Sequence, residues 1–255
     1  MCFDLDSRPP IAPIAGGALD SEELTLTAAD GTELTAFRAR AAHPTGAGMI
    51  VLPDVRGLHT YYEELALRFA EAGVDSIAID YFGRTAGLGR RDEGFEFMPH
   101  VLQTTYAGLT ADMTVAADEL QKDGRVRALF TVGFCFGGRV AFLTPTLDLG
   151  VAGAIGFYGW PTGPARNDTP APADIASEMR APILGIFGGA DHGINAGVVD
   201  EFRRALVAAG AEHELVTYEG APHSFFDRTA EDYAEQSADA WQKVLAFVRA
   251  NTPEA

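Results

Sequence analysis

From residue 48 onward, short apolar runs alternate with longer stretches of helical periodicity, and this alternation restricts the fold more than any other feature of the chain. The apolar runs occupy residues 49–52, 74–79, 129–132, 151–157, 183–187 and 215–218. The stretches with helical periodicity occupy residues 61–72, 105–121, 136–144, 196–209 and 230–250. Strands that alternate with helices form a mainly parallel sheet with helices on both faces, so the pattern predicts an α/β fold.

The region before residue 48 has the two-residue period of β-strands. Residues 23–27 and 33–39 alternate polar and apolar side chains on either side of Asp30 and Gly31, which is typical of a β-hairpin. We therefore expect an antiparallel hairpin at the edge of the sheet.

Length and loop content indicate the domain organisation. A chain of 255 residues with 47% hydrophobic residues can bury the core of one α/β domain. Residues 1–20 are rich in Pro, Gly and Ala and are expected to form an irregular arm, followed by a single domain over residues 21–255. The connections at 81–104 and 159–180 are longer than an α/β unit requires, and we expect them to form the walls of a pocket.

The chemically informative stretch is Thr-Val-Gly-Phe-Cys-Phe-Gly-Gly at residues 131–138, where an apolar strand runs through a tight turn into a helix. A strand-turn-helix of this kind exposes one reactive side chain above a helix N-terminus, and here that side chain is Cys135. Gly133 and Gly137 fit a turn in which a Cβ atom would clash. The alternative is a buried structural cysteine beside a glycine-rich turn.

A cysteine nucleophile needs a base, because a free thiol is mostly protonated near neutral pH. Asp191 follows the apolar run at 183–187, and His223 follows the run at 215–218, so both are expected at the sheet edge that carries Cys135. The order nucleophile, acid, histidine is that of α/β-hydrolases. Each partner also has an ordinary alternative, since an Asp after a strand often caps a turn and a single His is often structural.

Composition disfavours several classes of partner. The chain has 36 acidic and 19 basic residues and a net charge of −17, which disfavours nucleic acid and anionic membranes. It lacks an apolar run long enough to span a membrane, a secretory leader pattern and a disulfide framework, since its two cysteines are Cys2 and Cys135. We expect a cytoplasmic protein. No nucleotide-binding or zinc-binding motif is present, so we expect no cofactor and no metal.

Six segments together resemble the dienelactone hydrolase family, the cysteine branch of the α/β-hydrolases, over roughly residues 22–250. The segments are Val-Leu-Pro-Asp-Val-Arg-Gly-Leu at 51–58, Asp-Tyr-Phe-Gly-Arg at 80–84, Gly-Phe-Cys-Phe-Gly-Gly at 133–138, Phe-Tyr-Gly at 157–159, Gly-Gly-Ala-Asp at 188–191 and Ala-Pro-His-Ser-Phe at 221–225. The resemblance implies an α/β-hydrolase fold, with Cys135 as the nucleophile, His223 as the base and Asp191 as its orienting acid.

The resemblance also implies a second carboxylate beside the thiol, which in the family is typically a Glu that accepts the cysteine's proton. Asp54 stands at the matching position and is one methylene shorter. Its alternative role is to cap the turn or to pair with Arg56. The backbone N–H groups of Val55 and Phe136 are the expected oxyanion hole.

Substrate preference is where this sequence departs from the family pattern. Members that act on dienelactone hold the substrate carboxylate with two arginines; Arg84 matches the first, whereas Asp227 occupies the position of the second. Either Arg228, one place later, takes the second role, or the substrate is not an anionic lactone, so Arg84 and Arg228 are both candidate substrate-binding residues. Tyr158, in the matching Phe-Tyr-Gly segment, is also expected to contact substrate. An Asp at the pocket mouth would repel an anion, so a neutral or weakly anionic substrate is favoured.

The expected function is hydrolysis of small esters or lactones through a thioester intermediate. Three alternatives stay open: a carboxymethylenebutenolidase that acts on dienelactone itself, a promiscuous hydrolase of activated esters or phosphotriesters, and a non-catalytic small-molecule binding protein of the same fold. The sequence does not indicate whether the protein is a monomer or an oligomer.

Overall fold

The computed structural model of the chain describes residues 7–92 and 94–254. The strands are β1 Ala18–Thr27, β2 Glu33–Ala41, β3 Ala47–Leu52, β4 Asp75–Ile79, β5 Ala128–Phe134, β6 Val151–Phe157, β7 Ile183–Gly188 and β8 His213–Tyr218. The α-helices are α1 Thr60–Glu71, α2 Gly83–Ala86, α3 Phe97–Val101, α4 Tyr106–Gln121, α5 Phe136–Leu143, α6 Ala196–Ala209 and α7 Ala234–Ala250.

Within the described residues the strands form an eight-stranded sheet in the order β1-β2-β4-β3-β5-β6-β7-β8. The pairs β1·β2 and β2·β4 are antiparallel, and every other neighbouring pair is parallel. β3, β4 and β5 are buried along their whole length, whereas most of β1 is exposed at the sheet edge. The predicted α/β fold and its antiparallel N-terminal hairpin are confirmed.

Helices cover both faces of the sheet because alternate side chains of each strand point to opposite faces. Met49 and Val51 of β3 join a buried cluster with α1 and α7, where Phe69 packs on Trp241 at a ring distance of 4.9 Å. Ile50 and Leu52 join a second buried cluster with α4 and part of α5. No helix in the described part of the chain combines the length and hydropathy needed to cross a membrane.

Three expectations about boundaries need correction. Residues 18–20, expected in the irregular arm, belong to β1, because Ala18 pairs with Ala41 and an irregularity before Asp20 lets the strand extend. The last helix starts at Ala234 rather than at residue 230, after a series of turns. The connection at 81–104 contains the short helices α2 and α3, which are too short to show periodicity in sequence. Residues 1–6 of the predicted arm lie outside the described residues.

Candidate active site

The turn between β5 and α5 holds Cys135 in a backbone conformation that few non-glycine residues adopt, with φ +55° and ψ −111°. Two glycines make the turn possible. A Cβ atom on Gly133 would lie 1.9 Å from the carbonyl oxygen of Gly137, and one on Gly137 would lie 2.2 Å from the carbonyl oxygen of Leu52. The predicted elbow is therefore present, and it holds a half-buried thiol at the N-terminus of α5.

His223 and Asp191 meet at the carboxyl ends of β8 and β7. His223 Nδ1 lies 2.6 Å from Asp191 Oδ2, while Asp191 Oδ1 accepts hydrogen bonds from the backbone N–H groups of Gly193 and Ile194 at 2.8 and 3.0 Å. Burial by itself raises the pKa of Asp191, but these hydrogen bonds outweigh it and hold the pKa below its ordinary value. The acid is thus an oriented carboxylate that fixes one nitrogen of the imidazole.

Cys135 and His223 line one cavity of about 350 Å³. Both long connections contribute to its walls, as the sequence predicted: the first through Met98 and Val101 of α3, the second through Trp160 and the segment 164–166. Val55 and Phe136, the residues expected to supply the oxyanion hole, also line it. The arrangement places a thiol, an imidazole and two backbone segments around a small, largely apolar space.

Asp54 occupies the loop after β3, is fully buried and is not among the residues that line the cavity. Its Oδ1 accepts a hydrogen bond from the backbone N–H of Arg56 at 2.8 Å, and its backbone is held by the hydroxyls of Tyr62 and Tyr81. These contacts match the turn-capping alternative. A role in thiol activation stays a prediction.

Arg84 is not brought to the cavity, contrary to its expected role in holding a substrate carboxylate. Its Nη2 lies 2.8 Å from Oδ1 of Asp112 on α4, and its Nη1 bonds to Asp30 and to Thr32. Asp112 is 1% exposed, and burial raises the pKa of its carboxyl to about 6. The guanidinium therefore offsets a buried acid inside the fold.

Arg228 and Asp227 also lie away from where the family pattern would put them. Arg228 is exposed in a separate surface cleft beside residues 7–10. Asp227 is 5% exposed and accepts a hydrogen bond from the hydroxyl of Tyr158 at 3.0 Å. Because burial raises the pKa of Asp227 to about 8, its carboxyl is mostly neutral at pH 7. Asp227 is also not among the residues that line the cavity, so its burial weakens the repulsion of anions that the sequence led us to expect.

Tyr158 does line the cavity, and its ring lies 4.8 Å from the His223 ring. The sequence did not identify Arg139, which also lines the cavity. Its guanidinium donates to the backbone carbonyls of Trp160, Gly163 and Pro170 at 2.9, 3.0 and 3.0 Å, with two longer bonds in the same connection. The one available signal was its place three residues after Phe136 in the elbow helix.

Arg166 is a second cavity arginine that the sequence did not identify, and it is exposed at the cavity wall with Nη1 3.7 Å from Met98 Sδ. Among residues 7–92 and 94–254, no group of three or more His, Cys, Asp or Glu side chains is arranged to hold a metal ion.

The parallel sheet, the cysteine elbow and the acid and histidine after later strands define an α/β-hydrolase. The family model for the dienelactone hydrolase family matches residues 35–252, and the chain belongs to that family of hydrolases. A Salmonella typhimurium protein named "Putative carboxymethylenebutenolidase" is 31% identical over 252 residues, covering 93% of this chain and 92% of the relative. An Escherichia coli protein of the same name is 29% identical, covering 94% and 93%.

Solved structures give the same result for the fold. A structure from Klebsiella pneumoniae, described as "Putative Dienelactone Hydrolase", has a TM-score of 0.80 at 29% identity and covers 90% of this chain and 98% of that one. A dienelactone hydrolase-like promiscuous phosphotriesterase from metagenomic libraries has a TM-score of 0.76 at 18% identity, covering 93% of this chain and 100% of that one. At 18% identity, the likeness to this phosphotriesterase shows a shared fold only.

Proposed function

We propose that this hydrolase cleaves small, neutral or weakly anionic esters or lactones through a thioester formed on Cys135. The observation that carries the proposal is the 2.6 Å contact between His223 Nδ1 and Asp191 Oδ2 at a cavity that Cys135 also lines. An imidazole held at one nitrogen by an acid presents its other nitrogen as a base, which is the arrangement that a cysteine nucleophile requires.

In the proposed reaction His223 takes the proton of the Cys135 thiol, and the resulting thiolate attacks the ester carbonyl, so that a bond forms between Sγ and the carbonyl carbon. Negative charge develops on the carbonyl oxygen, where the backbone N–H groups of Val55 and Phe136 would stabilise it. Collapse expels the alcohol, which takes its proton from His223. Water activated by His223 then attacks the thioester, releases the acid and restores the thiol.

The preference for uncharged substrates rests on where the cationic groups lie. Arg84 is bound to Asp112 and Asp30, and Arg228 lies in another cleft, so neither borders the cavity. Arg139 lines the cavity, but its guanidinium is engaged by backbone carbonyls. A cavity of about 350 Å³ with a largely apolar lining suits a small apolar acyl or lactone group.

Trapping of the acyl-enzyme tests the mechanism. Brief incubation with an activated neutral ester should add one acyl group to the peptide that contains Cys135, because a thioester accumulates when its hydrolysis is slower than its formation. Cys135→Ala should neither turn over the ester nor acquire the group. The matched control is Cys2→Ser, which should retain full activity. Undiminished turnover by Cys135→Ala would contradict the proposal, and saturable binding without turnover by the intact protein would favour a non-catalytic binding protein.

Hydrolysis of anionic dienelactone is the second candidate, favoured by the relatives named as carboxymethylenebutenolidases and by the exposed Arg166 at the cavity wall. A lactone with a free carboxylate and its methyl ester separate the two candidates. We expect the methyl ester to have the higher kcat/KM, by about tenfold, or about 1.4 kcal/mol. A strong preference for the carboxylate that is lost in Arg166→Ala, but not in the exposed Arg180→Ala, would favour the second candidate.

A further inference from the structure

Besides its hydrogen bond with Asp191, the His223 imidazole contacts the ring of Tyr158, whose hydroxyl is bound to Asp227. Tyr158 follows β6 with φ +38°, a value that aromatic residues rarely adopt. Its backbone N–H donates to the carbonyl of Ile186 at 2.7 Å, and its ring packs on the His223 ring at 4.8 Å with an angle of 53°. The strained backbone thus coincides with the contact between the two rings.

Asp227 holds the far end of Tyr158. Its Oδ2 accepts the Tyr158 hydroxyl at 3.0 Å, and its Oδ1 accepts the backbone N–H of Arg228. The turn that carries Asp227 is fixed by its own N–H bond to Ser224 O at 3.2 Å and by the bond from Ala230 N–H to Asp227 O at 3.0 Å. The ring of Tyr158 therefore packs against His223, and its hydroxyl is bound by Asp227, which lies four positions after His223 in the sequence.

One hydrogen bond at Nδ1 still lets an imidazole rotate about the line of that bond, whereas a neighbouring ring packed against it at an angle restricts this rotation. We propose that Tyr158 and Asp227 form a positioning pair that fixes the plane of the His223 imidazole, so that its second nitrogen stays directed at Cys135. The proposal rests on the proposed roles of Cys135 and His223. Neither member of the pair touches the reacting atoms, and both act through His223.

The charge of the Tyr158–Asp227 pair depends on whether the carboxyl of Asp227 is protonated. Burial raises the pKa of its carboxyl to about 8, with a smaller contribution from Asp54, so the pair is nearly uncharged at pH 6.5. The titratable groups that face or border Asp227 come from the loop after β3, α1, the ends of β6 and β8, and the adjoining surface cleft. They are Asp54, Tyr61, Tyr158, His223, Arg8, Arg228 and Glu231.

The test measures the reactivity of the thiol and needs no substrate. Alkylation of Cys135 by iodoacetamide is followed on the tryptic peptide 128–139 between pH 5.5 and 9.5. An imidazole oriented at the thiol can take up its proton and so generate the reactive thiolate, and Asp227→Leu should therefore lower the alkylation rate at pH 6.5 by at least fivefold, approaching His223→Ala. At pH 9.5, above the ordinary pKa of a cysteine, the reaction no longer needs a base, and the rates should agree within about twofold.

Two variants separate positioning from a purely structural role. Asp227→Asn resembles the neutral acid: its amide oxygen can accept the backbone N–H of Arg228 and its NH₂ group can donate to the Tyr158 hydroxyl oxygen, so it should restore most of the alkylation rate at pH 6.5. Asp75→Asn is the matched control, because Asp75 is equally buried at 5% exposure but lies at the other end of the sheet. It should leave the pH profile of alkylation unchanged even if its melting temperature falls.

The outcomes distinguish this inference from the function on which it rests. If His223→Ala alkylates like the wild type at pH 6.5, the proposed catalytic roles are wrong. If His223→Ala is slow but a folded Asp227→Leu is not, only the positioning pair is wrong. Should Asp227→Leu fail to fold, Tyr158→Phe breaks the same hydrogen bond and keeps the ring volume. It should lower the rate at pH 6.5 at least threefold, and an unchanged rate would contradict the proposal.

Discussion

The two ends of the parallel sheet contain similar kinds of side chain and use them differently. At the amino end, Asp75 at the start of β4 binds Arg125, 3.1 Å away, and accepts the backbone N–H of Ala41 at 2.8 Å. At the carboxyl end, Cys135 sits on a strained turn, and the buried Arg139 donates to backbone carbonyls. Asp227 at that end is mostly neutral at pH 7 because burial raises its pKa to about 8.

The difference indicates that Asp75 at the amino end stabilises the fold by pairing with an opposite charge, whereas the groups around the cavity at the carboxyl end include those that we propose for the chemistry. Ligands of open α/β sheets bind outside the carboxyl ends of the strands, where loops can vary without disturbing the sheet. Substitutions at the two ends should therefore separate into effects on rate and effects on stability.

The largest effect is expected at the carboxyl end from Asp191→Asn. The amide oxygen can still accept hydrogen bonds from the N–H groups of Gly193 and Ile194, but the NH₂ group cannot accept one from Nδ1–H, so His223 takes the wrong tautomer. Steady-state kinetics should show a fall in kcat of a hundredfold or more, about 2.7 kcal/mol, with a nearly unchanged melting temperature. A change below twofold would mean that another carboxylate orients His223.

Arg139→Met should affect both rate and stability, because Arg139 ties a cavity wall to the elbow helix. Without the guanidinium, several partly buried carbonyls lose donors, which costs about 1–2 kcal/mol. KM should rise about tenfold as the wall at 159–170 loosens. The control is Arg180→Met, which removes an exposed arginine at the end of the same connection that is paired with Asp148. This variant should change neither KM nor the free energy of unfolding. An equal KM for both variants would show that Arg139 does not shape the cavity.

At the amino end, Asp75→Asn should destabilise the fold by about 2 kcal/mol, because Arg125 loses its charged partner and Ala41 keeps only a weaker acceptor. Urea unfolding measures the loss. The value of kcat/KM at a temperature well below the unfolding transition should stay within about twofold of the wild type. A tenfold fall would show that the two ends are coupled, and the contrast between them would fail.

The smallest effect on catalysis is expected from Arg84→Met, because Arg84 does not border the cavity. The ratio of kcat/KM for a carboxylated lactone and its methyl ester should change by less than twofold, under about 0.4 kcal/mol. Loss of a carboxylate preference in this variant would place Arg84 in the substrate site after all.

The same variant has a pH-dependent effect on stability. The pKa of Asp112 is raised by burial from 3.8 to about 6, so its contribution favours the fold below about pH 4 and is lost as the pH rises through 6. Without Arg84 the buried carboxylate loses its cation, and the free energy of unfolding should fall further between pH 4 and pH 8. The double variant Arg84→Met with Asp112→Asn should remove that additional pH dependence.

The parts of the molecule that the sequence predicted correctly depend on local pattern. The strands and long helices follow the spacing of apolar residues, and the elbow follows from glycines two positions on either side of Cys135. The site's outer residues depend on contacts distant in sequence. Arg84 continues a matching motif, but its direction is set by Asp30 and by Asp112 on another helix.

The environment of Asp227 also depends on contacts that are distant in sequence. An acid followed by an arginine suggests an exposed turn. In the structure the carboxyl of Asp227 lies inside the protein, where it binds the hydroxyl of Tyr158, and Tyr158 in turn packs against His223. The anchoring of a whole loop by Arg139 has no local signal beyond its place in the elbow helix, because its acceptors are backbone carbonyls, which every residue possesses.

The strand order has a consequence for biosynthesis. From β5 onward each new strand joins the outer edge of the growing sheet, so the thiol of Cys135 is synthesised well before Asp191 on β7 and His223 after β8. A nascent or truncated chain that ends before β8 carries Cys135 without His223, its proposed base. We therefore expect the thiol to gain its full reactivity only when synthesis of the sheet is complete.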